Sequence, residues 1–322
     1  MLKKEFQDAI DEEIISEVQF LDSGMPTLNY VISGRPLTGG MPLNGKIVCL
    51  YGVEGSGKTS YANQLIAKAQ QKDFDVIYID SESSVTKPRL KQFGIDIEKI
   101  NYLVPECMEE VFDIIEKVCK FKIKEQDDTP TLIVWDSIAA TATHDEMSRT
   151  AYDKEIGSKS AVLTRGLRKI RPLLNRLKNC GCVFINQARE NQAMFGDLFK
   201  MPGGKALMHE CCVIVRVNKI KPTETEQGIK ISTTKNKLFN PFQNTVIQFY
   251  YAKGFTKEAI VAAFCEFIKE IGILGQAGAW CYLQTDVNEL AKKENISEEE
   301  AKKKVSKFYM KDFTNRLLNE PD

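Results

Sequence analysis

The chain has no net charge: 44 Lys+Arg residues offset 44 Asp+Glu in 322. With that balance no global field draws it to a polyanion, so any nucleic-acid contact must come from a local basic patch. It has no C-x-x-C pair. Its nine cysteines (Cys49, Cys107, Cys119, Cys180, Cys182, Cys211, Cys212, Cys265 and Cys281) are odd in number and mostly sit in apolar runs. That argues for buried free thiols in a reducing compartment, not for disulfides or zinc. No apolar run is long enough to cross a bilayer. The longest, Ala259 to Cys265, falls far short of the about 20 residues required. The opening Met1-Leu2-Lys3-Lys4-Glu5 runs into acidic residues and does not read as a signal peptide. No internal repeat and no low-complexity tract is present. What remains, 43% hydrophobic and 27% charged residues, suits a soluble chain with one large domain and appendages, without a membrane partner.

The most informative stretch is Gly52-Val53-Glu54-Gly55-Ser56-Gly57-Lys58-Thr59. It fits G-x-x-x-x-G-K-S/T, the phosphate-binding loop. The apolar run Lys46 to Tyr51 before it reads as a buried strand, and Ala62, Leu65, Ile66 and Ala69 after it recur at helical spacing. A strand, a glycine loop and a helix form the context this chemistry needs. Gly52, Gly55 and Gly57 let backbone N–H groups, with those of Ser56 and Ser60 nearby, turn toward phosphate oxygens. Lys58 reaches the outer phosphates, and the Thr59 hydroxyl can ligate Mg²⁺. The loop by itself implies a bound nucleotide with Mg²⁺.

From Lys46 to about Cys212 strands and helices alternate, which predicts an α/β fold with a mostly parallel sheet covered by helices on both faces. The expected strands are Ile47–Leu50, Val76–Ile79, Leu132–Trp135, Val183–Ile185 and Val213–Val217. Ile229–Thr234 and Thr245–Tyr251 should extend the sheet in antiparallel fashion. Residues 2–19 read as an amphipathic helix, with Leu2, Phe6, Ile10 and Ile14 on one side. Lys122 to Asp128 reads as a polar loop. From Lys257 the pattern is helical, and Ser297-Glu298-Glu299-Glu300 reads as a capping box opening a last helix to about Leu318.

The other strand ends carry chemistry. Asp136 closes Thr131–Trp135 and can hold a metal, often through water; the alternative is a helix cap. Glu82 lies beyond Val76–Asp80, where it can deprotonate an attacking water; the alternative is an exposed turn. Gln187 ends Val183–Asn186 at the sheet edge that binds ligands in open α/β folds, placed to sense a γ-phosphate. Ala188 to Ala206 follows, long and glycine-rich. Arg189, Lys200 and Lys205 are interleaved there with Met194, Phe195, Leu198, Phe199 and Met201, beside Gly203 and Gly204. Bases and apolar side chains in one loop suit backbone neutralisation plus insertion between nucleotides; the alternative is a lid or an interface loop. Thr143 to Ser158, with Arg149, reads as another loop leaving the sheet. Lys159 to Lys178 holds seven basic residues and no acidic one. Leu163, Leu167, Ile170, Leu174 and Leu177 form its apolar stripe, Arg165 and Arg168 lie off it, and Pro172 is a candidate break.

These motifs together resemble the RecA family of recombinases, including phage members of the UvsX type. The similarity runs from about Phe20 to Trp280. It includes Thr38-Gly39-Gly40-Met41-Pro42, Ile79-Asp80-Ser81-Glu82, Trp135-Asp136-Ser137-Ile138-Ala139-Ala140, Phe184-Ile185-Asn186-Gln187, Gly203-Gly204-Lys205-Ala206-Leu207, Lys235-Asn236-Lys237 and Ala277-Gly278-Ala279-Trp280. The resemblance implies a RecA-like phosphate-loop NTPase core over 36–255. Residues 1–35 would form a helical arm for contact between protomers, and 256–322 a small C-terminal helical region. It implies that the nucleotide is ATP, bound with Mg²⁺, and a DNA-dependent ATPase that forms helical filaments on single-stranded DNA, pairs it with duplex DNA and exchanges strands in recombination and repair. Single-strand-binding and loader proteins are the further partners, and the cytoplasm of a bacterium or phage-infected host is the place. Residue by residue, Lys58 and Thr59 bind phosphate and Mg²⁺, Glu82 is the catalytic carboxylate and Asp136 supports the metal. Arg89 stands where the family stacks a side chain on adenine, usually tyrosine in bacterial members. Gln187 couples the γ-phosphate to the DNA loop Ala188–Ala206, and residues 143–158 stand where the first DNA loop lies. Lys235 and Lys237 match lysines that reach the neighbour's ATP. The chain departs from the family in its short amino-terminal arm and in lacking an acidic carboxyl tail. A hexameric helicase, a recombinase paralogue without strand exchange and a small-molecule kinase remain as rivals.

Overall fold

The computed structural model describes residues 17–148, 158–190, 199–200, 204–278 and 280–319. Arg149, Met194, Phe195, Gly203 and residues 2–16 of the helix expected over 2–19 lie outside them, and residues 17–19 are not helical. Eight strands make the main sheet: β1 (Lys46–Gly52), β2 (Asp75–Asp80), β3 (Ile100–Leu103), β4 (Thr131–Asp136), β5 (Cys180–Gln187), β6 (Val213–Ile220), β7 (Glu226–Asn236) and β8 (Asn244–Tyr250). Their spatial order is β8-β7-β6-β1-β5-β4-β2-β3. Strands β1 to β6 are parallel, and β7 and β8 are added antiparallel at one side.

Both faces are covered, which is why the strands read as unbroken apolar runs. On one face Val48, Leu50, Tyr78, Val134 and Ile185 pack on Tyr61, Leu65 and Ile66 of helix α1 (Lys58–Gln70). On the other, Ile47, Cys49, Ile79, Ile133 and Phe184 pack on helix α2 (Met108–Glu125) and helix α3 (Ser158–Leu174). Alternation along each strand sends neighbours to opposite faces. Trp135 anchors the second face. It is fully buried, edge-on to Phe112 and Phe184 at 5.6 and 5.3 Å, and its indole N–H donates to the Thr141 hydroxyl at 3.0 Å. All nine cysteines are free.

Three expectations are corrected. Lys122 to Asp128 is not all loop: α2 runs to Glu125 and ends on Gln126 in the left-handed region (φ 53°). Lys122 is buried because its ammonium meets Asp127 at 2.8 Å, the Thr129 carbonyl at 3.0 Å and Asp75 at 3.2 Å. A charge so surrounded can leave water. Pro172 does not interrupt α3, which continues to Leu174; a proline in the last turn removes only one helical bond. Ser297 does open a helix with a capping box, but that helix stops at Lys304. Phe308 and Tyr309 leave it to pair with Cys281 and Trp280, and the rings of Trp280 and Tyr309 stack at 4.0 Å. Packing of two aromatic side chains outweighs helix propensity there. A separate helix, Met310–Asn319, follows.

Candidate nucleotide site and nucleic-acid interface

Strand register builds the site. Gly52 pairs with Gln187, and Asp80 with Asp136, so the carboxyl ends of β1, β5, β4 and β2 stand in a row. The phosphate loop leaves β1 there and enters α1. Its glycines are required by shape. A side chain at Gly57 (φ +98°) would put Cβ 2.3 Å from Ile229, and one at Gly52 would lie 2.1 Å from the Val217 carbonyl oxygen. Gly55 also has positive φ, +69°. The Ser56 hydroxyl is buried with no hydrogen-bond partner among the described residues, an orphan that a phosphate oxygen would satisfy. Lys58 donates to the Gly52 and Val53 carbonyls at 3.0 and 2.8 Å, folded onto the loop itself. Its burial lowers its pKa, opposed by Asp136, Glu82 and Glu54.

The Thr59 hydroxyl donates to Asp136 Oδ2 at 2.7 Å, so Asp136 is a partner of the phosphate loop and not a helix cap. Two oxygen donors at this spacing fit Mg²⁺, which takes few protein ligands beside water and phosphate. Among the described residues no cluster of three or more His, Cys, Asp or Glu side chains offers a cage of its own. Asp136 is 1% exposed. Burial, then Glu82 and Asp80, push its pKa up to about 6, against the opposing pull of Thr59 and Lys58. Below that pH the carboxyl holds a proton a cation must displace. Mg²⁺-dependent nucleotide affinity should therefore rise as pH passes through about 6 and level off above it. Asp136→Asn should lose that step; titrations between about pH 5 and pH 8 check this, and an unchanged step in the variant would assign it elsewhere.

Glu82 is held in place. Its Oε1 accepts from the Ser137 hydroxyl at 2.6 Å and from Gln187 Nε2 at 3.0 Å. Its backbone N–H donates to Asp80 Oδ1 at 3.0 Å, while Asp80 Oδ2 accepts from the Tyr102 hydroxyl at 2.6 Å. Neither Ser137 nor Asp80 was singled out from the sequence, although both lie inside the quoted strand-end motifs. The root of the long loop is tied to the same place, since the Ala188 N–H donates to the Gly52 carbonyl at 2.9 Å.

A cleft of about 260 Å³ continues from the loop, lined by Thr59, Ser60, Arg89, Gln227, Phe249 and Tyr251. Arg89 lies over the rings of Phe93 and Phe249 at 5.4 and 5.5 Å and donates to the Ser60 hydroxyl and the Tyr251 carbonyl. Its guanidinium plane is thus set for stacking.

The basic residues divide. In α3, Lys169 pairs with Asp113 and Glu116 of α2, and Arg171 with Glu210; both are engaged in packing. Arg165 and Arg168 are exposed, as is Lys205. Lys159 donates to the Ala139 carbonyl at 2.8 Å. Arg189 begins a short strand, Arg189–Glu190, paired with Phe199–Lys200, and Gly204 opens helix α4 (Gly204–Glu210). Lys235 and Lys237 sit at the end of α4: Lys235 donates to the Met208, His209 and Cys211 carbonyls, and Lys237 to His209 at 3.3 Å. Cations suit a helix C-terminus.

Comparison with known proteins agrees with this geometry. Residues 7–256 match the RecA N-terminal domain. The chain is 34% identical over 248 residues to Protein RecA of Mesomycoplasma hyopneumoniae, covering 75% of this chain and 70% of that protein. It is 32% identical over 288 residues to Protein RecA of Malacoplasma penetrans (87% and 84%), and 34% identical over 249 residues to that of Ureaplasma parvum (76% and 71%).

Proposed function

Because the chain belongs to the RecA family, and is an ATP-dependent DNA recombinase of recombination and repair with DNA-dependent ATPase activity, we propose that it works as follows. It polymerises on single-stranded DNA with ATP and Mg²⁺ at protomer boundaries, then pairs that strand with homologous duplex DNA and exchanges strands. One observation carries this: the 3.0 Å bond from Gln187 to Glu82, which joins a hydrolytic carboxylate to the residue where the long loop begins.

Lys58 leaves the Gly52 and Val53 carbonyls to neutralise the outer phosphates, and the loop's N–H groups donate to the phosphate oxygens. Thr59 and Asp136 would hold Mg²⁺, which would neutralise phosphate charge when bound. Ser60, Arg89 and Tyr251 face the nucleoside. Glu82 orients and deprotonates the attacking water, with Ser137 fixing its carboxylate. Gln187 donates to the same oxygen. A group that draws Gln187 away leaves Glu82 with Ser137 alone and shifts the start of loop Ala188–Ala206. Arg149, Lys159, Arg165, Arg168, Arg189, Met194, Phe195, Gly203, Gly204 and Lys205 contact DNA, and Lys235 and Lys237 reach the neighbouring protomer's nucleotide. Residues 1–35 make the protomer contact, 36–255 the ATPase core and 256–322 the C-terminal region. No helix among the described residues is long and apolar enough to cross a membrane. The protein acts in the cytoplasm of a bacterium or phage-infected host, with single-strand-binding and loader proteins as partners.

The test is twofold. Single-stranded DNA should stimulate ATP hydrolysis by the native protein, and Gln187→Ala should bind nucleotide normally yet lose the stimulation. Phe195→Ala should weaken DNA binding by about 1–3 kcal/mol, the worth of one stacked base. Affinity for labelled single-stranded DNA should fall steeply with salt, because each released counterion gains less entropy in a more concentrated salt solution. No DNA stimulation, with a flat salt response, would return the loop to a lid.

A further inference from the structure

Gln227, near the start of β7, is only 4% exposed. Both ends of its amide are engaged. Nε2 donates to the Gly55 carbonyl at 3.1 Å, and Oε1 accepts from the Tyr251 hydroxyl at 3.4 Å. These partners mark two ends of the cleft. Gly55 is the left-handed turn of the phosphate loop, whereas Tyr251 stands beside Arg89 and Phe249. A carboxamide has one donor end and one acceptor end on a rigid plane. The Gly55 carbonyl can only accept, so it fixes the NH₂ end of Gln227 toward the loop and leaves Oε1 for the Tyr251 hydroxyl, which donates to it. The Gly55 carbonyl shares a peptide plane with the Ser56 N–H, so fixing one fixes the direction of the other. That N–H closes a long turn onto the Val53 carbonyl at 3.3 Å. One buried side chain thus connects the end that would meet a base to the backbone that would meet phosphate, across 172 positions of sequence.

We propose that Gln227 is a positioning residue that couples the base end of the nucleotide cleft to the phosphate loop, so that a nucleoside triphosphate sets the loop better than a bare polyphosphate does. This rests on the nucleotide site proposed above. A base packed against Arg89 and Tyr251 restrains the phenol. The restrained hydroxyl holds Gln227 Oε1, and Nε2 in turn holds the Gly55–Ser56 peptide. A polyphosphate reaches the loop without engaging the Tyr251 end. The device discriminates by what the ligand carries beyond its phosphates.

Calorimetric titration of the full chain with ATP and with inorganic tripolyphosphate, each with Mg²⁺, tests it in the native protein, Gln227→Met, Tyr251→Phe and the double variant. Methionine keeps the length of glutamine without its donor. Tyr251 is 37% exposed, so removing its hydroxyl spares the core. The preference for ATP over tripolyphosphate should fall roughly 3- to 10-fold in each single variant, the worth of about one hydrogen bond, and no further in the double. Tripolyphosphate affinity should fall less than ATP affinity in Gln227→Met, which removes the Gly55 bond, and change little in Tyr251→Phe, which keeps it. KM for ATP should rise while kcat stays within about twofold, a split that general loss of folding does not give. An unchanged preference in Gln227→Met overturns the coupling, as do equal losses for both ligands or full additivity in the double variant. Should Gln227→Met fail to fold, Tyr251→Phe decides alone. Native protein that binds neither ligand sinks the nucleotide site itself, and the coupling with it.

Discussion

Glu82→Gln should bind ATP as tightly as the native protein and hydrolyse it about 10²- to 10⁴-fold more slowly, the usual worth of a general base. The geometry makes the substitution clean. Glu82 Oε1 accepts from Ser137 and Gln187, and a glutamine oxygen can accept from both. The side chain keeps its place, and only the ability to take a proton is lost. Filaments on single-stranded DNA should then be long-lived, the result expected of the proposed coupling between ATP hydrolysis and disassembly. Lys58→Ala makes the contrast: it removes the cation proposed to meet the outer phosphates and should lose ATP binding or turnover. Single-turnover hydrolysis beside nucleotide titration separates the two. Glu82→Gln turning over at the native rate would leave the carboxylate without its catalytic role, and Ser137 and Gln187 would be holding a structural group.

The second large effect concerns assembly. Lys237→Ala should bind ATP as a single protomer and fail to form ATP-dependent filaments. Within one chain Lys235 and Lys237 rest on the carbonyl end of α4, the helix that follows the long loop. If they turn to the neighbour's γ-phosphate, they give up those carbonyls, and the loop's far end is released as the boundary closes. Cations there would stabilise charge on the transferring phosphoryl group. Mixing Lys237→Ala with Lys58→Ala makes the point sharper. In an equal random mixture about a quarter of head-to-tail boundaries combine an intact lysine with an intact phosphate loop, so part of the DNA-dependent ATPase should return. Normal filaments from Lys237→Ala alone, with no recovery at any mixing ratio, would leave both lysines as helix caps.

Sequence by itself determined the sheet and the heart of the site. Strands such as Ile47–Leu50 and Leu132–Trp135 are legible because burial on both faces leaves no polar position. The phosphate loop, Glu82, Asp136 and Gln187 are legible because each chemical group sits at a fixed offset from the end of such a strand. The edge strand β3, Ile100–Leu103, was not read: it is short, and Asn101 and Tyr102 face solvent, so no buried pattern announces it. Lys122 looked like loop because a charged side chain goes inside only when partners from elsewhere surround it, here Asp75, 47 positions away. The break at Lys304 has no local signal, because the aromatic partner of Tyr309, Trp280, lies on another strand.

Tertiary structure alone decided which side chains share one spot. Ser137 meets Glu82 across 55 positions, and Gln187 meets it across 105. Register between β1, β5, β4 and β2 sets these meetings, and register is fixed by cooperative packing of the whole sheet. Periodicity tells which face a residue occupies, a local property of the chain. Which partner it finds on that face depends on strand order, which is a property of the whole sheet and not of any one segment.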